Sequence, residues 1–507
     1  MIRLLVEDVV AAIGGELLLG APDLETRGLT TDTRQIAGGE LFLALSGPRF
    51  DANDFAESAL EKGAGALVLR REPGLAERLA PVLAARSNDV AIIVHDDPGL
   101  ALRALARWHR LRLGLPVVGI TGSCGKTTTK NYLAQLLTGV RRAVSSPKSF
   151  NNAIGVPLTL LGADAKTEVS VCEIGTSGPG EIAELCGIAL PDIGVITGVG
   201  ASHLEGLGSL EGVALEKNEL GRALPASGLL VLHQDGRFTD LFRASTKARV
   251  VTFGVDNGVR SEADLVATKI CFDGGRTVFE LRGKGLEHLE GREIMLPALG
   301  THNVLNLLAA LAVCRGLGID LEEVLPAVAS IGGQSGRLER FELEGVVVID
   351  DTYNANPDSA KAAVRVLAGI HGHERRVLVL GDMLELGGFA AEMHHAVGRA
   401  AAAAGLDQLV LVGELAAAAG AGALEGGMAP EDVVHFPTRA DALEALERGE
   451  LFRTGDVVLV KASRGMRLED LVRRVRSRFA QNSASGGQAS GGRGASALAC
   501  YAGWEVV

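Results

Sequence analysis

The sequence predicts an α/β protein of three domains, with a mostly parallel central sheet. The chain of 507 residues is too long for a single hydrophobic core. Strand-like apolar runs alternate with helix-like segments along most of the chain, a pattern typical of parallel sheets covered by helices. A glycine-rich turn at 121–127 joins one of these runs to a helix, as expected for a sheet of the P-loop type.

Composition argues against several classes of function. The 66 glycines and the aromatic content of 4% suit α/β domains with many tight turns. A net charge of −12 argues against nonspecific nucleic-acid binding and against an anionic membrane partner. The six cysteines include no C-x-x-C pair, so neither a zinc site nor a disulfide framework is indicated. Because 1–15 is predicted to be an amphipathic helix rather than a signal peptide, and no apolar run reaches ~18 residues, we expect a cytoplasmic protein without membrane insertion.

The first predicted domain covers residues 1–108 and is a flanking N-terminal α/β unit. Its predicted strands are Leu41 to Leu45 and Ala66 to Leu69, and its predicted helix is Asp54 to Lys62. Asp32, Thr33 and Arg34 form a compact polar cluster ahead of the first of these strands. From the residues alone, this cluster is either a capped turn or part of a binding site.

The second predicted domain covers residues 112–335, and the alternation of its elements predicts a mostly parallel sheet. Ligands bind at the carboxyl ends of the strands in such sheets. Its predicted strands are Leu115 to Ile120, Val169 to Ile174, Asp192 to Thr197 and Leu229 to Leu232. A β-rich insertion from Arg249 to Leu296 follows, and then a helix from Asn303 to Leu317 that ends at Gly318.

The third predicted domain covers residues 337–480 and is a C-terminal α/β unit of Rossmann-like pattern. Its predicted strands are Gly345 to Ile349, Arg376 to Leu380, Gln408 to Val412 and Asp456 to Val460, and its last helix is Leu468 to Phe479. Residues 481–497 consist of Ser, Gly, Ala, Gln and Asn with one Arg, a composition that buries too little apolar surface to order a chain. We therefore expect a disordered tail over 481–507.

The central domain opens on a candidate phosphate-binding loop, Thr121-Gly122-Ser123-Cys124-Gly125-Lys126-Thr127-Thr128. Glycines in such a loop let backbone N–H groups turn onto phosphate oxygens, and the N-terminus of the following helix faces the same anion. Lys126 is placed to reach the terminal phosphates, and the Thr127 hydroxyl to bind Mg²⁺. The general pattern G-x-x-x-x-G-K-[ST] fails at one place, since Ile120 stands at its first glycine. The alternative is a glycine-rich turn with a surface lysine.

Polar residues follow other strands of the central domain. Glu173 lies where a carboxylate near a phosphate loop is placed to hold Mg²⁺, the alternative being a solvated loop acid. His203 follows the next strand and is either a ligand or a structural histidine. Lys217, in the helical stretch ALEKNEL, is by itself most simply a surface lysine. Asn151 and Asn152 precede an apolar helix and are candidate helix caps or substrate contacts.

The third domain has a polar strand end of its own. Its first predicted strand runs into Asp350-Asp351-Thr352-Tyr353-Asn354-Ala355-Asn356-Pro357, where acids, amides and a phenol indicate a binding site and not a core. Arg337 and Arg340 stand at the domain boundary, within reach of a phosphate across an interdomain cleft. Lys461, Ser463 and Arg464 follow the last strand in the equivalent position.

Together these motifs resemble the Mur ligases, the ATP-dependent amide-forming enzymes of peptidoglycan precursor synthesis. The resemblance covers about residues 20–470 and includes that family's own loop pattern, T-G-[ST]-x-G-K-[ST], which accounts for Ile120. The other segments that carry it are SFNNAIGVPLTLL, HLEGLGS, GTHNVLNLLAA, DDTYNANPDS, GDMLELG and KASRGM. DDTYNANPDS is the most discriminating, and with the others it resembles the family member that adds D-alanyl-D-alanine to UDP-N-acetylmuramoyl-tripeptide.

The resemblance implies roles for individual residues in binding ATP. The loop 121–128 would hold the phosphates, and Asn303 and Asn306 would lie on the adenine-side helix. Arg337 resembles the arginine that meets the γ-phosphate, and Asp351 resembles the acid near the ribose.

The resemblance also implies two Mg²⁺ ions and a set of substrate contacts. Thr127 would hold one ion, Glu173 resembles a shared ligand, and His203 with a carbamylated Lys217 would hold the second. The implied catalytic residues are Lys126, Lys217, His203 and Arg337. The implied substrate-binding residues are Thr31, Asp32, Thr33, Arg34, Asn151, Asn152, Tyr353, Asn354 and Asn356, of which the first four resemble part of the uridine-nucleotide site.

Three positions depart from the family pattern without removing a proposed ligand: Gly198 replaces a frequent asparagine, Asn53 a frequent histidine and Ala462 a frequent glycine. The rival interpretations are another ligase of the superfamily, a P-loop kinase or GTPase, and a nucleotide-binding module without turnover. YNANPDS argues against the first, the long first domain against the second, and the full set of loop and strand-end ligands against the third. We expect a monomer, with the third tripeptide residue (diaminopimelate or lysine) left open.

Overall fold

The computed structural model describes residues 2–47, 50–84, 89–273, 275–343 and 345–483. It contains three principal sheets, one in each predicted domain, and helices pack against all of them. This confirms the predicted three-part α/β architecture. Residues 484–507 of the predicted disordered tail lie outside the described residues. Within the described part of the chain, no helix is long and apolar enough to cross a membrane.

The first domain holds a five-stranded sheet of order β2-β9-β8-β5-β4, in which only β2 runs antiparallel to its neighbour. Its elements are β1 (Arg3–Leu5), α1 (Val6–Ile13), β2 (Glu16–Leu19), β3 (Glu25–Arg27), β4 (Leu29–Thr30), β5 (Leu41–Leu43), β6 (Ser46–Gly47), β7 (Phe50–Asp51), α2 (Ala56–Glu61), β8 (Ala66–Arg70), α3 (Leu75–Leu83), β9 (Ala91–His95) and α4 (Pro98–Leu113). The predicted N-terminal helix is therefore shorter than expected, since a strand precedes it. Helix α2 begins only after a 3₁₀ turn, Ala52–Phe55.

The central domain holds a nine-stranded sheet of order β11-β12-β10-β13-β14-β15-β16-β17-β18. Its elements are β10 (Val117–Thr121), α5 (Lys126–Leu137), β11 (Ala143–Ser145), α6 (Gly155–Leu161), β12 (Val169–Glu173), α7 (Glu181–Ala189), β13 (Ile193–Ile196), α8 (Leu204–Leu207), α9 (Leu210–Ala223), β14 (Leu229–His233), α10 (Thr239–Ser245), β15 (Arg249–Val255), β16 (Leu265–Asp273), β17 (Arg276–Gly283), β18 (Glu293–Leu296), α11 (Thr301–Gly316) and α12 (Leu321–Val328). The seven strands from β11 to β16 in this order are parallel to one another, whereas β17 pairs antiparallel with both β16 and β18. The predicted β-rich insertion thus continues the central sheet.

The third domain holds a six-stranded sheet of order β19-β20-β24-β21-β22-β23, parallel except at β19. Its elements are β19 (Glu339–Leu343), β20 (Val346–Asp351), α13 (Pro357–Ala368), β21 (Arg375–Gly381), α14 (Ala390–Ala403), β22 (Gln408–Val412), α15 (Ala417–Glu425), β23 (Val433–Phe436), α16 (Arg439–Arg448), β24 (Asp456–Lys461) and α17 (Glu469–Ser483). The edge strands β19 and β23 were not predicted. Helix α17 continues to Ser483, so the first three residues of the predicted disordered tail, 481–483, are helical instead.

Helix α4 crosses the predicted boundary at residue 108 and fastens the first domain to the second. It packs against α1 on one side and against α6 and α7 on the other. The Arg110 guanidinium is buried, lies 2.7 Å from the Asp192 carboxylate, and donates to the carbonyls of Ala189 and Leu190. Asp192 also accepts from the N–H of Val117, the first residue of β10. This network holds the first domain beside the start of the strand that leads into the glycine loop.

Candidate functional site

A cavity of about 570 Å³ lies between the central and third domains, at the carboxyl ends of their parallel strands. Its lining includes the glycine loop, the first turns of α11, the strand end after β20 and the segment after β24. The residues that line it and were predicted from the sequence are Ser123, Cys124, Gly125, Lys126, Thr127, Thr128, Asn151, Glu173, His203, Asn303, Asn306, Arg337, Asp351, Tyr353, Asn354 and Asn356. Parallel sheets thus bring together residues that are more than 200 positions apart in the chain.

The glycine loop has the backbone of an anion-binding turn. Strand β10 continues through Thr121, so Ile120 is a fully buried core residue and the chain turns only at Gly122. Gly125 has a φ of 83°, and a Cβ there would collide with Asn306 Oδ1. Helix α5 starts at Lys126, whose Nζ donates to the Gly122 carbonyl at 2.6 Å across the loop. Burial lowers the pKa of Lys126, although the nearby Glu173 opposes this effect.

Glu173 has the surroundings expected of a cation ligand. Its side chain is 1% exposed at the end of β12. Oε1 accepts from Asn151 Nδ2 at 3.0 Å, while Oε2 is buried without a hydrogen-bond partner. Lys130 Nζ is 3.9 Å from that oxygen and donates to the carbonyls of Ser146 and Lys148 instead. A buried carboxylate oxygen lacking a donor suits a divalent cation, so the residues fit Mg²⁺.

Thr127 and Ser149 lie near this carboxylate on the loop side. The Thr127 hydroxyl is buried at the start of α5, 3.3 Å from Ser149 Oγ. Across the described ranges, no cluster of three His, Cys, Asp or Glu side chains is arranged to hold a metal alone. Any ion at Glu173 would therefore draw further ligands from hydroxyl groups and from a bound phosphate.

His203 and Lys217 both lie close enough to Lys126 for its charge to lower their pKa values. His203 has a φ of 54° and its Nδ1 lies 2.6 Å from Glu385 Oε2 of the third domain. Burial lowers the pKa of His203, and Glu385 opposes that effect.

Lys217 is the most unusual cation of the region. It is 1% exposed in the middle of α9, so the simple prediction of a surface lysine is wrong. Burial, assisted by the charge of Lys126, lowers the pKa of Lys217 to about 7. In the part of the chain that the structure describes, no carboxylate forms an ion pair with its Nζ. About half of the amine is therefore uncharged at pH 7, whereas an ordinary lysine is almost fully charged there.

The strand end after β20 meets the glycine loop directly. The Tyr353 hydroxyl is hydrogen-bonded to Ser149 Oγ. Two guanidinium groups lie over the Tyr353 ring, Arg337 at 4.0 Å and Arg464 at 5.0 Å from its centroid. Asn356 Nδ2 lies 3.0 Å from Cys124 Sγ of the loop. These contacts join the central and third domains.

Asp351 and its neighbours are organised by a buried lysine. Lys461 Nζ, at the end of β24, donates to Asp351 Oδ2 at 2.6 Å and to the Asn354 carbonyl at 3.0 Å. Asn356 also caps α13, because its side chain accepts from the N–H of Ser359. The pairing of Asp351 with Lys461 was not predicted, since the two residues are 110 positions apart in the chain.

Helix α11 contacts the glycine loop and the first turn of α5 through Asn306. Asn306 Oδ1 accepts from Thr129 Oγ1 at 3.3 Å, and Asn303 Nδ2 donates to the Leu299 carbonyl at 2.8 Å. His302, which the sequence reasoning missed, also lines the cavity, and burial lowers its pKa to about 4. The motif GTHNVLNLLAA contained this residue, so its position next to Asn303 was the available signal.

A second cavity of about 530 Å³ adjoins the first and shares Lys126, Asn151 and His203 with it. Asn152 lines this cavity, and its side chain also accepts from the N–H groups of Ile154 and Gly155 at the start of α6, whose N-cap residue is Ile154. The shared residues place Lys126 between two compartments.

The polar cluster of the first domain lines neither of these two cavities. Its members are Thr31, Asp32, Thr33 and Arg34. Asp32 caps a 3₁₀ turn by accepting from the N–H of Arg34, whose side chain holds the pKa of Asp32 at about 2. The capped turn is thus observed, and these residues line neither cavity beside the glycine loop.

Two of the three departures from the family pattern have a clear structural setting. Asn53 is buried, and its side-chain amide bonds both the N–H and the carbonyl of Arg70 at the end of β8. It is therefore a structural residue here. Gly198 accepts from the N–H of Ser123 through its own carbonyl, so this loop contact needs no side chain.

Comparison with known proteins gives matches along almost the whole chain. The family models described as "Mur ligase family, catalytic domain", "Mur ligase middle domain" and "Mur ligase, glutamate ligase domain" match residues 25–109, 120–314 and 336–464. A UDP-N-acetylmuramoyl-tripeptide--D-alanyl-D-alanine ligase of Bacillus subtilis is 35% identical over 93% of this chain and 98% of its own length. The protein of that name from Escherichia coli is 34% identical with the same coverage.

Solved structures give the same result. Crystal structure I of MurF from Acinetobacter baumannii superposes with a TM-score of 0.81 at 30% identity, covering 94% of this chain and 99% of that one. MurF ligase from Thermotoga maritima in complex with ADP superposes with a TM-score of 0.74 at 28% identity, covering 90% and 99%.

Proposed function

Because the chain belongs to the Mur ligase family, we propose that it joins D-alanyl-D-alanine to UDP-N-acetylmuramoyl-tripeptide, converting ATP to ADP and phosphate, in peptidoglycan precursor synthesis. The observation that carries this proposal is the full-length similarity, 35% over 93% of the chain, to a ligase of that name. The cavity supports it, because the phosphate loop and the DDTYNANPDS strand end line one space.

The chemical task is to make a carboxylate react with an amine in water. A carboxylate oxygen of the tripeptide attacks the γ-phosphorus of ATP, the bond to ADP breaks, and an acyl phosphate forms. The amine of D-alanyl-D-alanine then attacks the acyl carbon, loses a proton, and the C–O bond to phosphate breaks. We assign the transferring phosphate to the loop amides and to Lys126 at the start of α5, whose Nζ lies across the loop against the Gly122 carbonyl. Arg337, held against the Tyr353 ring, supplies a second cation from the third domain.

The residues that would hold Mg²⁺ form two sets that share Glu173. Thr127 and Glu173 would hold one ion, and the buried Glu173 Oε2, which has no hydrogen-bond partner, supports this assignment. His203 and a carbamylated Lys217 would hold the other. When bound, Mg²⁺ neutralises the charge that develops during phosphoryl transfer.

The carbamate is proposed because the surroundings of Lys217 suit a nucleophilic amine. Its amine is buried and unpaired within the described residues, and about half of it is uncharged at pH 7. A neutral amine attacks CO₂ to form an N–C bond and releases one proton, which leaves an anionic oxygen ligand in place of a cation. This change of sign also relieves the repulsion between Lys217 and Lys126.

The two cavities supply separate places for ATP and for the reacting end of the tripeptide. We assign ATP to the first, with Asn303 and Asn306 on the adenine side and Asp351 near the ribose. The second adjoins Lys126 and His203, which suits the carboxylate that must meet the γ-phosphate. The substrate-binding assignments of Thr31 to Arg34, of Asn151 and Asn152, and of Tyr353, Asn354 and Asn356 belong to this proposal. The proposal also includes a cytoplasmic location and a monomeric state. It further includes the absence of nucleic-acid and membrane partners, and the net charge of −12 supports this last part.

One assay tests the function. The enzyme is given ATP, Mg²⁺ and UDP-N-acetylmuramoyl-tripeptide, and phosphate release is compared with D-alanyl-D-alanine, D-alanine, L-glutamate or no amine. We expect release to depend on the dipeptide. Equal phosphate release under all four conditions would refute the proposal and favour a nucleotidase or kinase.

A further inference from the structure

Glu385 belongs to the motif GDMLELG, which neither the phosphate chemistry nor the substrate assignments have used. It lies in the loop after β21 of the third domain and lines the larger cavity. Its Oε2 is 2.6 Å from Nδ1 of His203, which belongs to the central domain. The contact therefore crosses the cleft between the two domains that hold the nucleotide site.

The backbone on both sides positions this pair. His203 and Glu385 have φ values of 54° and 63°, in the left-handed region that non-glycine residues rarely adopt. The N–H of Glu205, two residues after the histidine, donates to the Glu385 carbonyl at 3.4 Å. Helix α8 packs on the 3₁₀ turn Gly387–Phe389 that follows the acid. The Glu385 side chain is 63% exposed, so the position of this contact is set by the two unusual loop conformations that meet at it.

The chemistry of imidazole gives this contact a consequence. When Nδ1 carries the hydrogen and donates it to a carboxylate, the lone pair of the neutral ring lies on Nε2. Histidines that bind metals are commonly fixed in this way by a carboxylate on the other nitrogen. We propose that Glu385 is a positioning residue that sets the tautomer and orientation of His203, so that Nε2 serves the second cation site when the third domain closes. This inference rests on the proposed function, specifically on His203 as a ligand.

Coupling between domains follows from the placement of the two residues. His203 stays with the glycine loop, whereas Glu385 arrives with the third domain. The second cation site is then fully formed only in the closed arrangement, in which Arg337 and Tyr353 also reach the loop side.

The test uses binding of Mn²⁺ to the full-length enzyme with a non-hydrolysable ATP analogue, measured by electron paramagnetic resonance. In Glu385→Ala we expect the weaker of two Mn²⁺ ions to lose affinity about 10- to 100-fold, the range typical of such supporting residues. Glu385→Gln keeps an acceptor for Nδ1–H and should lose less. Glu392→Gln, an exposed acid of α14 in the same domain, is the matched control and should bind Mn²⁺ as the unaltered protein does.

Unchanged Mn²⁺ affinity in a folded Glu385→Ala protein would overturn the inference, even if activity fell, because the pair would then be a domain contact only. If that variant does not fold, Glu385→Asp decides, since it keeps the charge but withdraws the carboxylate by one methylene. Weakened Mn²⁺ binding in it supports the inference, and unchanged binding refutes it. Dipeptide-dependent phosphate release by the unaltered enzyme is scored separately, so failure of the proposed function is distinguishable.

Discussion

Replacing Lys217 by Met should change how stability depends on pH. Burial lowers the pKa of Lys217 from the ordinary 10.5 to about 7. That difference corresponds to about 5 kcal/mol, since each pKa unit is worth ~1.4 kcal/mol. Between pH 7 and 10.5 the unfolded chain holds a proton that the folded protein has lost. The unfolding free energy contributed by this group therefore rises with pH across that window and is constant below and above it.

The assay is urea denaturation in CO₂-free buffer, comparing unaltered protein with Lys217→Met at several values between pH 6 and 11. The apolar methionine removes the titrating group while filling similar volume. We expect the difference in unfolding free energy between variant and unaltered protein to be largest below pH 7 and to shrink by ~1.4 kcal/mol per pH unit between pH 7 and 10.5. A difference that does not vary with pH would refute the reasoning that Lys217 is buried as a neutral amine.

Three further predictions concern activity, the loop and domain closure. Lys217→Ala should lose ligase activity and regain part of it with short-chain carboxylic acids, which would replace the carbamate; full activity without them would exclude a metal role. Gly125→Ala should weaken ADP binding, measured by calorimetry, by roughly 1–3 kcal/mol, because the added methyl group would clash with Asn306 Oδ1. Gly139→Ala is the control: it has a similar φ of 85° but open space around it, so ADP binding should not change. Tyr353→Phe removes the hydrogen bond to Ser149 and should make domain closure less favourable by ~1 kcal/mol. Closure is measured as the decrease in scattering radius on adding ATP and UDP-N-acetylmuramoyl-tripeptide, and we expect a smaller decrease in the variant. An unchanged decrease would exclude Tyr353 from closure.

Much of the site followed from one rule, that parallel strands present their carboxyl ends to the same edge. The rule needs only strand positions, so Glu173 and His203 were expected near the loop before any distance was known. Asp351 ends a strand of another sheet, and only the resemblance to the Mur ligases linked it to the nucleotide. The strands β10, β12 and β22 were sufficiently apolar for prediction to within about two residues. The edge strands β19 and β23 were not predicted because they are only partly buried and lack a continuous apolar run.

What could not be predicted depends on contacts between distant segments. Helical spacing placed Lys217 on α9 but did not reveal which neighbours cover it, so its burial was missed. The ion pair of Lys461 with Asp351 and the contact of Glu385 with His203 both join residues over 100 positions apart. Local sequence patterns do not predict such pairs, because the packing of sheets and domains determines them.

Isotope transfer tests the central claim most directly. The tripeptide is labelled with ¹⁸O in its reacting carboxylate, and the phosphate released with ATP and D-alanyl-D-alanine is examined by mass spectrometry. If this chain makes an acyl phosphate, one carboxylate oxygen leaves with the phosphate, so each phosphate carries one ¹⁸O. Release of unlabelled phosphate while the amide product forms would contradict the account.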